Sequence, residues 1–146
     1  MRPAAWRGIR LAYSALRGFT DGVPRRFARN SSDEAFLDFV RRDPLQCRRV
    51  PFRWIGALRR WLRSLPRRDL GVGPALILQG DEDRTVDWHY NLPFMQALFP
   101  GSRVEYVAGA GHQLANESAA LRRQYLEIVV RYLADRGIEL GAPPQL

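Results

Sequence analysis

The chain has 146 residues, 46% of them apolar, which is enough for one domain with a modest core. All 23 basic residues are Arg, and residues 1–70 carry 17 of them against 6 acids, whereas residues 71–146 carry 6 against 9 acids. A single cysteine, Cys47, excludes an internal disulfide and a multi-cysteine metal site. No apolar run approaches the roughly 20 residues that span a bilayer. We therefore predict a protein with no cofactor and no bound metal, located in the cytoplasm.

The first half, residues 1–70, has the pattern of a basic helical segment. Apolar residues at helical spacing predict an amphipathic helix over residues 2–19, which Asp21-Gly22 and Pro24 end. The apolar side of this helix would consist of Trp6, Ile9, Tyr13 and Leu16.

Two further helices are predicted in the same half. Ser31 and Glu34 have capping-box spacing and would begin a short helix that ends at Asp43-Pro44. Pro51 is well placed as the first residue of the next helix, because its missing N–H costs nothing there. The apolar sides of the two helices would consist of Phe36, Phe39 and Val40 in one and Trp54, Leu58, Trp61, Leu62 and Leu65 in the other.

The second half, residues 71–146, alternates strands and helices. Residues 74–79 form a short apolar run that suits a strand buried on both faces, and residues 103–107 alternate as a second strand. Each strand is followed by a predicted helix, over residues 92–99 and 118–136. The order strand, helix, strand, helix is typical of a parallel α/β arrangement.

Two titratable side chains follow these strands. Asp83 comes after the first and His112 after the second, each in a loop that contains glycine. Because the carboxyl ends of parallel strands meet at one edge of a sheet, we expect the two side chains to lie together. An Asp that holds a His in one tautomer lets it act as base toward a nucleophile and then as acid toward the leaving group. Spacing alone does not exclude the alternative that His112 is an ordinary loop residue. It also does not choose Asp83 over three nearby acids, Asp81, Glu82 and Asp87.

The two loops resemble the acid and histidine loops of the α/β-hydrolase family, in the serine aminopeptidase-like branch that includes monoacylglycerol lipases and lysophospholipases. That family writes its acid loop as G-x-x-D-x-x-V, which matches Gly80, Asp83 and Val86 and selects Asp83 among the acids. The resemblance implies that Asp83 and His112 are the catalytic acid and histidine. The histidine loop GAGHQLANE also matches the family at Leu114, Asn116 and Glu117.

The resemblance also implies a fold class and a substrate. The expected fold is α/β, namely the C-terminal portion of an α/β-hydrolase (two parallel strands with flanking helices) preceded by a helical cap. Residues 1–70 would be the cap and residues 71–146 the core portion. The implied substrate is a carboxylic ester or lipid, with Trp54, Trp61 and Leu65 forming an apolar wall for its acyl chain. An alternative is that these three side chains are the core-facing stripe of an ordinary packed helix.

One element of the family pattern is missing. The nucleophile of such enzymes lies in a G-x-S-x-G elbow that precedes the cap. No serine of this chain has that setting, whether Ser14, Ser31, Ser32, Ser64, Ser102 or Ser118. Met1 falls where the cap would begin. We therefore expect a fragment that is inactive alone and whose partner is the missing N-terminal half.

A second hypothesis comes from the basic first half. Arg with interleaved aromatic residues suits lipid headgroups and stacked bases, so residues 1–70 are also typical of a module that contacts a membrane surface or a nucleic acid. No recognisable nucleic-acid motif accompanies the charge, which makes nucleic acid the less favoured partner. The opening residues also resemble a transit peptide, since they are rich in Arg and free of acids up to Asp21. The alternative to both is a solvated face with a bias toward Arg.

Overall fold

A computed structural model describes residues 3–16, 18–25, 27–138 and 141. The first helix, α1, spans Pro3–Leu16, close to the prediction for residues 2–19. Arg2 and Arg17 of that prediction lie outside the described residues, as do the side chains of Trp6 and Ile9. Residues 139–140 and 142–146 of the predicted second domain also lie outside them.

A small antiparallel sheet, which the sequence analysis did not predict, follows α1. Strand β1 (Gly22–Pro24) pairs with strand β2 (Arg49–Pro51). Gly22 has no room for a side chain in this pairing, because a Cβ atom there would collide with the Val50 carbonyl oxygen. The predicted break after α1 is therefore also the start of a strand, whose partner lies too far along the chain for a local pattern to reveal it.

The second helix, α2 (Glu34–Arg42), is capped differently from the prediction. Asp33 is its N-cap, and the Asp33 carboxylate accepts a backbone N–H of the first turn at 3.0 Å. The capping box predicted for Ser31 and Glu34 is wrong, because the Ser31 hydroxyl instead donates to the backbone carbonyl of Asn116 at 2.6 Å. The predicted buried side is also partly wrong, since Leu37 is buried whereas Phe39 is 64% exposed.

The third helix, α3 (Phe52–Ser64), exposes Trp54, Trp61 and Leu62 of its predicted apolar stripe, whereas Leu58 and Leu65 are half-buried. Its buried residues are Phe52, Ile55 and Gly56, which share one face because residues three or four apart lie side by side on a helix. That face packs against α1, where the Tyr13 ring meets the Phe52 ring edge-on at 5.8 Å between centroids. Trp54 and Trp61 are 55% and 56% exposed, so the interpretation of them as core residues is wrong.

The second half of the chain contains the predicted parallel pair. Strand β3 (Leu76–Gly80) pairs in parallel with β4 (Arg103–Val107), and helix α4 (Trp88–Leu98) connects them. Helix α5 (Ala119–Ala134) packs against both strands. The mixture of helices and small sheets fits an α/β fold. Strand β3 is mostly half-buried rather than buried on both faces, and within the described residues it pairs with one strand only.

The helices of this half begin at polar caps. The Asp87 carboxylate caps α4, which therefore begins earlier than predicted, and Ser118 caps α5. A short 3₁₀ turn, Leu114–Asn116, was not predicted and precedes α5. The predicted apolar side of α5 faces inward, with Tyr132 buried and Leu121, Tyr125, Ile128, Val129 and Leu133 half-buried. Among the described helices, none is long and apolar enough to cross a bilayer.

Candidate active site

The candidate active site lies at the carboxyl ends of β3 and β4. Asp83 is in the loop that follows β3, and His112 is in the loop that follows β4. The Asp83 Oδ2 atom is 2.9 Å from the His112 Nδ1 atom, which is a hydrogen-bond distance. The structure thus brings together the two side chains that the sequence predicted to be neighbours.

The two loops are also joined through their backbones. Gly80, the last residue of β3, is buried so closely that a Cβ atom would collide with the carbonyl oxygens of Ala110 and Gly111. The Gly109 N–H donates to the Asp81 carboxylate at 2.7 Å. Glycine at position 80 is therefore required by the close approach of the histidine loop to the acid loop.

Asp83 is buried and its carboxylate is fully engaged. The residue is 8% exposed, and its Oδ1 atom accepts the backbone N–H groups of Thr85 at 2.8 Å and Val86 at 3.2 Å. Burial raises the pKa of Asp83, but the hydrogen bond with His112 and the two backbone hydrogen bonds together outweigh it and hold the pKa below its ordinary value. Asp83 is therefore ionised at neutral pH.

The rival acids of this loop have other partners. Asp81 is exposed and binds the backbone of the histidine loop, Glu82 forms a surface ion pair with Arg84, and Asp87 caps α4. Their positions agree with the choice of Asp83 as the partner of the histidine. In the part of the chain that the structure describes, no group of three or more His, Cys, Asp or Glu side chains could hold a metal ion.

The geometry determines which nitrogen of His112 carries the proton. An ionised carboxylate can only accept hydrogen bonds, so Nδ1 of the neutral ring must be the protonated nitrogen that donates to Asp83. The Nε2 atom is then left with a lone pair. Since 36% of the His112 side chain is exposed, the ring is accessible to a reacting group while its other side is held.

The residues of the predicted acyl wall do not contact this pair through the hydrogen bonds or ring contacts of the described residues. Trp54 and Trp61 are on the outward face of α3, and Leu65, half-buried, is its C-cap. Within the described residues, no hydrogen bond or ring contact joins these three to Asp83 or His112. Their role in binding an acyl chain stays a prediction.

Polar contacts that hold the histidine loop were not predicted from the sequence. Glu117, which the sequence indicated only as a match to the family motif, is fully buried and accepts hydrogen bonds from Ser32 and from the Gly111 N–H. Ser32 lies 85 residues away along the chain, so no local pattern could pair it with Glu117. The only signal was the family match at position 117.

Acid should remove the stabilising contribution of Asp83. Because the pKa of the folded carboxyl lies below its ordinary value, this contribution is complete above about pH 4 and is lost as the pH falls through the folded value. We expect Asp83→Asn to lower the free energy of unfolding by about 1 to 3 kcal/mol at neutral pH, and we expect this difference to shrink as the pH falls below the ordinary pKa of an aspartate. Urea unfolding at several pH values measures this, and a constant difference between wild type and variant would contradict it.

Comparisons with known proteins give a partial similarity. No family model matches the chain. Over 86 residues the chain is 34% identical to a protein of Haemophilus influenzae described as probable lysophospholipase L2, and the alignment covers 56% of this chain and 26% of that protein. This similarity suggests an α/β-hydrolase-type family. The chain spans about a quarter of the length of the curated relative that it matches.

Proposed function

We propose that this chain supplies the acid, Asp83, and the histidine, His112, of a carboxylic-ester hydrolase of the α/β-hydrolase family. The observation that carries the proposal is the 2.9 Å contact between these side chains beyond the carboxyl ends of two parallel strands. The loop motifs favour the serine aminopeptidase-like branch. The similarity to a probable lysophospholipase supports a lipid or another ester as the substrate.

The proposed mechanism follows from the protonation of the pair. A serine hydroxyl attacks the acyl carbonyl of the ester while His112 Nε2 accepts the hydroxyl proton. The proton then passes from His112 to the departing alcohol, and a serine-bound acyl group remains. Water, activated by the same nitrogen, releases the acid. Asp83 keeps its charge throughout, holds His112 in the required tautomer and stabilises the imidazolium that forms.

In this proposal the nucleophile comes from residues other than these 146. Apart from Ser14, which lies within α1, the serine hydroxyls of the chain already have structural partners: Ser31 and Ser32 bind around Glu117, Ser102 binds Phe99 and Ala75, and Ser118 caps α5. Ser64 donates to a backbone carbonyl of its own helix. None stands on the sharp strand-to-helix turn that projects a nucleophilic serine. A segment with a G-x-S-x-G elbow is therefore the proposed partner.

The proposal assigns different parts of the site to the two halves of the chain. Residues 71–146 carry the acid and histidine loops, and residues 1–70 form the cap. Trp54, Trp61 and Leu65 of the cap would contact the acyl chain, which suits two indole rings that are more than half exposed and free to meet an apolar ligand.

A chimera tests this function. The segment of this chain that carries Asp83 and His112 replaces its counterpart in the Haemophilus influenzae relative, and hydrolysis is measured on an ester that the intact relative cleaves. We expect the chimera to cleave the ester and the isolated 146-residue chain to show background hydrolysis only. A folded chimera without activity would contradict the proposal. Hydrolysis by the isolated chain that is lost in Ser118→Ala would contradict the external nucleophile.

A second candidate function is binding to an anionic membrane surface. Trp54 and Trp61 are exposed on α3, and Arg53 and Arg60, which directly precede them in the chain, are exposed as well. Aromatic rings that enter the headgroup region and Arg that meets lipid phosphates are typical of peripheral membrane helices.

Vesicle sedimentation tests the second function. The chain should bind vesicles that contain phosphatidylserine and be released as NaCl rises from about 50 to about 500 mM, because exposed charges are screened. Vesicles of phosphatidylcholine alone are the control. Trp54→Ala with Trp61→Ala should weaken binding, and equal binding to both vesicle types would contradict this function.

A further inference from the structure

Glu117 is a buried carboxylate that joins two distant segments. The residue is 0% exposed and lies between the 3₁₀ turn and α5. Its Oε2 atom accepts the Ser32 backbone N–H at 2.6 Å and the Ser32 hydroxyl at 2.5 Å, with the Ser31 hydroxyl at 3.5 Å. Its Oε1 atom accepts the Gly111 N–H at 2.6 Å. One carboxylate thus connects the segment before α2 to the histidine loop.

This carboxylate is charged although it is buried. Burial raises the pKa of Glu117, but the hydrogen bonds from Ser32, Gly111 and Ser31 together outweigh this effect and hold the pKa below its ordinary value. A buried charge is tolerated only when hydrogen bonds satisfy it, and here serine hydroxyls and backbone N–H groups do so. Neutral substitutes cannot reproduce these contacts, because they offer fewer acceptors.

The contacts of Glu117 end at the backbone of the candidate histidine. Gly111 directly precedes His112, and a Cβ atom at position 111 would lie 3.0 Å from Glu117 Oε1. On the other side of the histidine, the Gln113 N–H donates to the Asn30 carbonyl at 3.0 Å. Both neighbours of His112 are therefore held from outside, by Glu117 and by residue 30 of the segment that carries Ser32.

We propose that Glu117 is a positioning residue for His112, acting through the Gly111 N–H, with Ser32 as the partner that holds the carboxylate in place. Glu117 fixes the backbone on which His112 stands, so that Nδ1 points at Asp83 and Nε2 stays available. This inference rests on the proposed function, because positioning matters for catalysis only if His112 is the catalytic base. The geometric part is independent of hydrolysis.

The tautomer of His112 tests the inference on the isolated chain. Long-range ¹H–¹⁵N correlations, recorded at a pH where the imidazoles are neutral, measure the fractions protonated at Nδ1 and at Nε2. We expect the Nδ1–H form to dominate in wild type, because Asp83 accepts that proton. In Glu117→Gln the Nδ1–H fraction should fall at least twofold, since a glutamine has one acceptor atom and its NH₂ group opposes the remaining donors.

Matched variants separate positioning from general destabilisation. Ser32→Ala should shift the tautomer in the same direction as Glu117→Gln, and Ser32→Thr, which keeps the hydroxyl, should restore the wild-type fraction. Ser102→Ala is the control, because it removes comparable serine hydrogen bonds at the opposite end of β4. His89, which is exposed and stacked on Trp88, is an internal control in the same spectra, and its tautomer fractions should not change in these variants.

The outcomes decide between the two levels of the proposal. A folded Glu117→Gln chain with the wild-type tautomer would overturn the inference, as would an equal shift in Ser102→Ala. If Glu117→Gln does not fold, Ser32→Ala decides by the same criterion. A tautomer shift together with a chimera that cleaves no ester would support the positioning of His112 and count against the proposed function alone.

Discussion

In the active chimera, His112→Ala should lower kcat by about 10⁴- to 10⁶-fold. Without the imidazole, no group is placed to take the serine proton or to protonate the departing alcohol, and the members of such a triad act as a unit. KM should change little, because the ring is expected to act on the reacting atoms rather than on substrate affinity. Steady-state kinetics on the ester used for the chimera measure both constants.

The second histidine of the chain provides a matched control. His89 is exposed in α4 and stacks on Trp88 at 3.6 Å between ring centroids, whereas the hydrogen bond with Asp83 is made by His112. We expect His89→Ala in the chimera to retain nearly the full kcat. A His112→Ala chimera that keeps more than a tenth of the activity would show that His112 is not the catalytic base.

Asp83→Asn should lower kcat of the chimera by about 10⁴-fold. The carboxylate can only accept a hydrogen bond and therefore keeps the proton of neutral His112 on Nδ1, whereas an asparagine amide can donate to Nδ1 and favour the opposite tautomer. The Nε2 atom would then carry a proton and could not act as a base. Asparagine has nearly the same shape as aspartate, so the substitution removes the charge of the buried Asp83 with little change of packing.

Asp81 is the control for this second substitution. It stands two positions earlier in the same loop, is exposed and accepts the Gly109 N–H. Asp81→Asn removes the same charge from the same loop, and we expect it to retain most of the activity. Equal losses from Asp81→Asn and Asp83→Asn would mean that loop charge, rather than the hydrogen bond to His112, supports catalysis.

The parallel pair and its loops could be read from local patterns. The strand at Arg103–Val107 was predicted at the bounds observed, since alternation over five residues is encoded within the strand itself. That the acid and histidine loops meet followed from one general property, that parallel strands end at the same edge of a sheet, and the family motif selected Asp83 among the acids. Neither inference needed knowledge of a distant segment.

The first half of the chain was harder to read for a physical reason. An apolar stripe in the sequence predicts that one face of a helix is apolar, but it does not predict which other element, if any, packs against that face. In α3 the Phe52 ring packs against Tyr13 of α1, and Trp54 and Trp61 of the richer stripe face outward. The β1–β2 pairing was missed because three-residue strands carry too little pattern to be recognised.

By itself the sequence determined which side chains were available for chemistry. It contains an acid and a histidine in glycine-containing loops after two strands, and none of its serines lies in a G-x-S-x-G elbow. Only the tertiary structure decided how His112 is held. A glutamate is ordinarily a surface residue, and Glu117 is stable as a buried charge because Ser32 and Gly111 bring donors from two separate segments. Contacts between distant segments are formed by folding and leave no periodicity in the chain, which is why this carboxylate was not predicted as part of the site.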